Sequence, residues 1–389
     1  MSHSSPLPTD ATEAVLVGRL FDPKVGGPVI VHVRGDRLVD VSALAPTVSE
    51  LLEGTDVAAR LRAAEGGRSW ALSDVLAASE AHETGETRTI LLAPCDLQAV
   101  KACGVTFARS MVERVIEERA KGDYALANAI RQEIGSVIGG ALAEVVPGSP
   151  KSAEVKRILQ EKGYWSQYLE VGIGPDAEVF TKAPVLASVG HGAEVGILPM
   201  SEWNNPEPEV VLTVNSRGEI LGATLGNDVN LRDVEGRSAL LLGKAKDNNA
   251  SSSIGPFIRL FDEAFTLDDV RSAELTLIVE GADDGYRLEG FSTMREISRD
   301  PADLVRQALG PHHQYPDGMM LFCGTLFAPV EDRDTPGKGF THKLGDRVTI
   351  ASPRLGALTN TVTHTDKAAP WRFGIAALMR NLAARGLLS

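Results

Sequence analysis

The chain has 389 residues, with 39 Lys+Arg against 52 Asp+Glu and a formal net charge of −13. That surplus excludes a general nucleic-acid binder, which needs a basic stripe to displace phosphate counterions. Hydrophobic residues make up 43% and charged residues 23%, the balance of a folded chain long enough for two or three domains. No apolar run approaches the roughly 20 residues of a membrane-spanning helix. The opening Met-Ser-His-Ser-Ser-Pro-Leu-Pro has neither the basic start nor the apolar core of a signal peptide. A cytoplasmic location with no membrane partner is therefore expected. The three cysteines, Cys95, Cys103 and Cys323, are odd in number and lack C-x-x-C spacing, which speaks against a disulfide framework and structural zinc.

In chain order, residues 14–41 alternate in the strand manner, with a tight turn at Gly35-Asp36 between Val31–Arg34 and Arg37–Val41. Thr47 and Glu50 have capping-box spacing and open a short helix through Leu51 and Leu52. A helical patch near Leu72–Ala81 follows Gly66-Gly67. Residues 1–88 thus read as a small N-terminal β-rich domain and 89–389 as the remainder. Over 107–163 the spacing predicts three helices, carried by Met111, Val115 and Ile116, by Leu126, Ile130 and Ile134, and by Val155, Ile158 and Leu159. Strands return at Pro184–Ser188, Glu209–Val214, Ile220–Leu225, Leu275–Glu280, Met319–Phe322 and Arg347–Ala351. Helices near Pro301–Leu309 and Trp371–Arg385 interrupt them. The fold class is α+β, mostly β, with a helical insertion.

Chemistry concentrates in Asn204-Asn205-Pro206-Glu207-Pro208-Glu209-Val210-Val211-Leu212. On a strand, Glu207 and Glu209 project from the same face. Two adjacent carboxylates repel, and a hard divalent cation is the simple remedy, because Mg²⁺ takes oxygen ligands. A hairpin centred near Arg217 places Glu207 opposite Asn227 or Asp228, and Asp228 is a carboxylate in an otherwise apolar strand. The three carboxylates suit octahedral Mg²⁺ or Mn²⁺; a solvated pair of glutamates with a capped aspartate is the alternative. No dinucleotide fingerprint or P-loop lysine pattern is complete, so no nucleotide cofactor is expected.

The motifs resemble the fumarylacetoacetate hydrolase superfamily. Its E-x-E, G-N-D-V…R-D, lysine and G-P elements match Glu207-Pro208-Glu209, Gly226-Asn227-Asp228-Val229 with Arg232-Asp233, Lys246, and Gly255-Pro256. Gly324-Thr325 and Leu344-Gly345-Asp346-Arg347-Val348 match its late G-T and L-x-G-D-x-V. Phe180-Thr181-Lys182-Ala183-Pro184 looks like its F-x-K-P, and Gly104-Val105-Thr106-Phe107 sits where it has G-L-N-Y. The match runs over roughly residues 90–389.

The resemblance implies a mixed β-sandwich roll with a helical lid and one Mg²⁺ (or Mn²⁺) on Glu207, Glu209 and Asp228, chelating a 2-oxo acid. It implies self-association as a homodimer or homotetramer. Hydrolytic members carry a lid H-x-x-E that activates water, whereas this chain reads Ser110-Met111-Val112-Glu113. The glutamate is present and the histidine is not, which marks down an acylpyruvate-type C–C hydrolase. Longer stretches, among them Lys244-Ala245-Lys246-Asp247-Asn248-Asn249-Ala250 and Ser298-Arg299-Asp300-Pro301, resemble the branch that dehydrates 2-keto-3-deoxy sugar acids to 2,5-dioxopentanoate in oxidative pentose breakdown.

In that branch Lys246 is implied as the base, enolate partner or Schiff-base lysine, and Glu113 as general acid, or else part of a charged helix face with Glu117. Ser110 is expected to hydrogen-bond substrate. Gly324 and Thr325 are expected to hold the substrate carboxylate, a plain turn being the alternative. Lys182 is expected at the substrate or as a structural support. A catalytically silent sugar-acid binding protein is the reading from another class.

Overall fold

The computed structural model describes residues 5–82, 87–107, 132, 145–327, 329, 331–334 and 339–388. Its first strands are β1 (Leu16–Asp22), β2 (Gly27–Arg34), β3 (Arg37–Asp40), β4 (Ser69–Ala71), β5 (Ile90–Leu92) and β6 (Ala99–Gly104). Then come β7 (Glu178–Ala183), β8 (Glu194–Ile197), β9 (Asn204–Asn205), β10 (Pro208–Val214), β11 (Ile220–Asp228) and β12 (Asn230–Leu231). The last are β13 (Ser252–Leu260), β14 (Glu274–Glu280), β15 (Arg287–Thr293), β16 (Met319–Phe322), β17 (Arg347–Ser352) and β18 (Gly356–His364).

An 11-stranded sheet runs β4-β3-β2-β1-β13-β11-β10-β16-β6-β7, with β5 also on β1. A 5-stranded sheet runs β15-β14-β17-β18-β8, and β9 pairs with β12 in a short ribbon. The protein is therefore a sheet-dominated mix of helices and strands with two open sheets. Strands on both sides of residue 88 share the larger sheet through β1 and β13, antiparallel with Val17 opposite Ile258.

β10 is buried along its whole length, so both of its faces are packed. Val210, Leu212 and Val214 join Leu275, Leu277, Val348 and Ile350 of the smaller sheet in one core. Val211 points the other way, into a core with Val15, Val17, Leu51, Leu52 and Met320. Each such residue contributes about 1.5–3 kcal/mol, and this anchors a strand whose start carries two carboxylates.

The helix Val48–Glu53 forms where expected, with the Thr47 hydroxyl accepting from the Glu50 N–H at 3.1 Å. The helices Leu72–Glu80, Pro150–Glu161, Pro301–Ala308 and Ile375–Ala384 correspond to their sequence patterns; the first two helices expected between 107 and 163 lie outside the described residues. Pro184–Ser188 is not a strand. Pro184 lacks an N–H for a ladder, and Leu186 turns with φ +65°, so the strand ends at Ala183. Among the described residues no helix is long and apolar enough to cross a membrane.

Candidate metal centre

The site grows from the β10–β11 hairpin. The turn closes with the Asn215 N–H on the Glu219 carbonyl at 3.1 Å, and the Asn215 side-chain oxygen caps the N–H groups of Arg217 and Glu219. Running back from this turn, Pro208 lies opposite Asn227 and Glu209 opposite Gly226. The Asp228 N–H continues the pairing onto the Glu207 carbonyl at 3.1 Å. Because strand side chains alternate, Glu207 and Glu209 emerge on one face. Carboxylate oxygens of Glu207, Glu209 and Asp228 all lie within 4.8 Å of one another, and all three residues are buried.

Two ammonium groups enter this cluster. Lys246 is the last residue of the short helix Leu242–Lys246; its Nζ donates to Glu207 Oε2 at 2.6 Å and to Asp228 Oδ2 at 3.1 Å. Lys182, near the end of β7 and fully buried, is ion-paired with Asp228 Oδ1 at 2.7 Å. It also donates to the carbonyls of Val229 and Lys246. Its two hydrogen bonds go to backbone carbonyls and its charge lies against Asp228. Lys182 therefore supports the cluster from behind Asp228, in keeping with the structural-support alternative.

Burial disfavours every charge here, and the neighbours decide which survive. Burial opposes the Lys246 ammonium, but Asp228 and Glu207 outweigh it and raise its pKa. Burial also opposes the Asp228 carboxylate, yet Lys182 and Lys246 hold it below its ordinary value. Glu209 lacks such a partner: burial, then Asp228 and Glu207, push it well above the usual carboxylate range. Glu207 is raised, first by burial. For Lys182, burial lowers the pKa against the pull of Asp228.

Three carboxylic groups face two ammoniums, so the third, Glu209, either takes up a proton or ionises against a further cation, and the all-oxygen donor set is that of a hard dication. Buried side-chain oxygens of Asn205 and Asn230 have no hydrogen-bond partner among the described residues, and they are suited to metal-bound waters. The residues present fit Mg²⁺, with Glu207, Glu209 and Asp228 as the ligands.

The other expected site residues fall in different places. The Gly324 N–H donates to Glu209 Oε2 at 2.6 Å, and the Thr325 hydroxyl donates to the Phe327 carbonyl at 2.9 Å. Both groups thus have a partner within the protein in this structure. Ser110 and Glu113 lie outside the described residues. Two residues escaped the sequence reading. Asn230, fully buried, donates through Nδ2 to Glu207 Oε1 at 3.0 Å and to Glu235 Oε2 at 2.7 Å, so Glu235 stands one amide away from the cluster. The available signal for Asn230 was its position two residues beyond Asp228.

Residues 174–363 match the family model described as fumarylacetoacetate (FAA) hydrolase, C-terminal. A probable 2-keto-3-deoxyxylonate dehydratase of Haloferax volcanii is 30% identical over 204 residues, which are 52% of this chain and 66% of that protein. A 2-dehydro-3-deoxy-D-arabinonate dehydratase of Saccharolobus solfataricus is 32% identical over 192 residues, 49% of this chain and 60% of that one. The chain thus spans just under two thirds of the length of these relatives. Among solved structures, a 2-keto-3-deoxy-D-arabinonate dehydratase complexed with magnesium and 2,5-dioxopentanoate superposes with a TM-score of 0.61 at 21% identity. That superposition covers 90% of this chain and 99% of the other, so the fold is shared nearly end to end.

Proposed function

From the premise that residues 174–363 form a fumarylacetoacetate hydrolase family domain, we propose that the protein is a Mg²⁺-dependent dehydratase of 2-keto-3-deoxy-D-xylonate (2-dehydro-3-deoxy-D-arabinonate). Its product is 2,5-dioxopentanoate, in oxidative pentose breakdown. The observation that carries this reading is the buried Glu207–Glu209–Asp228 cluster with an ammonium inside it. Relatives named for this dehydration lend it support.

A base takes a proton from C3, the C4–O bond breaks with its electron pair, and the departing hydroxide takes a proton from a general acid to become water. Shift of the new double bond toward C5, with proton transfer, turns the primary alcohol carbon into the aldehyde. A dication at the carboxylates would supply Lewis-acid polarisation of the substrate's C1 carboxylate and C2 keto oxygen, which acidifies C3. Glu207, Glu209 and Asp228 hold that charge in place. Lys246 sits between Glu207 and Asp228 as an ammonium, the form that stabilises negative charge developing on an enolate oxygen. Proton delivery to the departing hydroxyl is assigned to Glu113, and a substrate hydrogen bond to Ser110. The missing lid histidine argues against C–C hydrolysis.

Incubating the protein with 2-keto-3-deoxy-D-xylonate and Mg²⁺ tests this. Appearance of 2,5-dioxopentanoate supports the dehydratase. Pyruvate with glycolaldehyde would replace it with C–C cleavage, and substrate that binds unchanged would replace it with a silent binding protein. A cytoplasmic homodimer or homotetramer belongs to the same reading; sedimentation velocity tests the assembly.

A further inference from the structure

The metal cluster is tied to a strained turn on the far side of Gly324. At the end of β6, Val105 adopts φ +53°, a left-handed backbone that a β-branched residue rarely takes and that persists only where its surroundings enforce it. Three contacts hold the turn. The Thr106 carbonyl accepts from the Ser298 N–H at 2.7 Å, Phe107 bridges to Ile297, and the buried Thr106 hydroxyl donates to the Cys323 carbonyl at 2.7 Å.

The Cys323 carbonyl and the Gly324 N–H belong to one planar peptide group. Thr106 grips that plane by its oxygen, while the opposite edge donates to Glu209 Oε2 at 2.6 Å. A donor on a peptide carbonyl polarises the whole amide and strengthens its N–H, so the two bonds reinforce each other. The close fit is mutual: Gly324 has φ +88°, and a Cβ on it would collide with the Thr106 hydroxyl.

We propose that Thr106 is a positioning residue for the metal centre: its hydroxyl sets the Cys323–Gly324 peptide, which in turn orients the Glu209 carboxylate. The proposal rests on the metal-site reading above. Hydrogen-bond partners one step behind a metal ligand typically govern about 10–100-fold of metal affinity, and Thr106 acts one step further back through a rigid plane.

Calorimetric titration of MgCl₂ into chelator-treated protein tests it, with the Tm of the metal-free form as the control for folding. Thr106→Val keeps the shape and loses the donor, so its Mg²⁺ dissociation constant should rise about tenfold. Thr106→Ser keeps the donor and should stay close to wild type. Equal Mg²⁺ affinity in folded Thr106→Val and wild type would overturn the assignment of Thr106 while leaving the metal centre intact. A wild-type protein that binds no divalent cation would overturn the metal centre itself. If Thr106→Val does not fold, Val105→Gly carries the test. It retains the hydroxyl but frees the turn, so weaker Mg²⁺ binding is expected and unchanged binding overturns the proposal.

Discussion

Replacing Lys182 by methionine removes an ammonium from the back of the cluster while nearly preserving its volume. At 2.7 Å from Asp228 Oδ1, the attraction is about 6 kcal/mol at an effective dielectric of about 20. Much of that only offsets the burial of the ammonium. The measurable loss is the cost of leaving a buried carboxylate short of one partner, about 3–5 kcal/mol. The Val229 carbonyl also loses its Lys182 donor, whereas the Lys246 carbonyl still accepts from the Ser251 hydroxyl at 2.8 Å. The metal-free variant should therefore melt about 4–6 °C below wild type. Saturating Mg²⁺ should raise its Tm by more than it raises that of wild type, because the dication supplies the positive charge that Lys182 no longer gives to Asp228. Differential scanning fluorimetry in chelator and in MgCl₂ reads both quantities. A metal-free Tm indistinguishable from wild type, or no added Mg²⁺ stabilisation in the variant, would rule out a supporting charge at Lys182.

Glu207→Gln keeps one ligand oxygen but removes a charge from the cation site, so Mg²⁺ affinity and turnover should both collapse in calorimetry and in a product assay. Glu209 has its pKa raised by burial first and then by Asp228 and Glu207. The metal-free site therefore gains stability from a protonated Glu209 and loses that contribution as pH rises through its folded value. Mg²⁺ needs the carboxylate, so binding should release a proton and weaken on acidification. Titrations in buffers of different ionisation enthalpy measure this, and a pH-independent affinity would contradict it. All three cysteines are buried, and burial holds the Cys95 thiol up at about 12, with Cys103 and Cys323 also raised by burial. Ellman's reagent at pH 8 should leave the native thiols unmodified and titrate them after denaturation.

The carboxylate triad was legible because two local rules suffice for it. Strand alternation puts Glu207 and Glu209 on one face, and the turn at Asn215–Glu219 brings Asp228 back beside Glu207. Lys246 was legible only through the family's spacing. What no local rule shows is the choice of distant partners. β16 lies parallel to β6, with Phe322 opposite Ala102, and this delivers Gly324 to Glu209 and Thr106 to Cys323. β13 is buried throughout yet contains Gly255-Pro256, a pair that reads as a break in a central strand; a register shift in β11 opposite it accommodates the irregularity. For Lys182 and Thr325 two readings stayed open for a related reason: a lysine and a threonine near a ligand-binding motif look alike in sequence whether they face substrate or protein. The same holds for Asn230, whose role depends on Glu207 and Glu235 both reaching its side-chain amide.

The central claim is that Glu207, Glu209 and Asp228 hold a dication that the dehydration requires. It is tested most directly by following 2-keto-3-deoxy-D-xylonate by proton NMR with chelator-treated protein, before and after addition of Mg²⁺. No change is expected in the chelated sample, and conversion to 2,5-dioxopentanoate is expected on adding Mg²⁺. Turnover that persists without metal, or substrate left intact with Mg²⁺ bound, would contradict it.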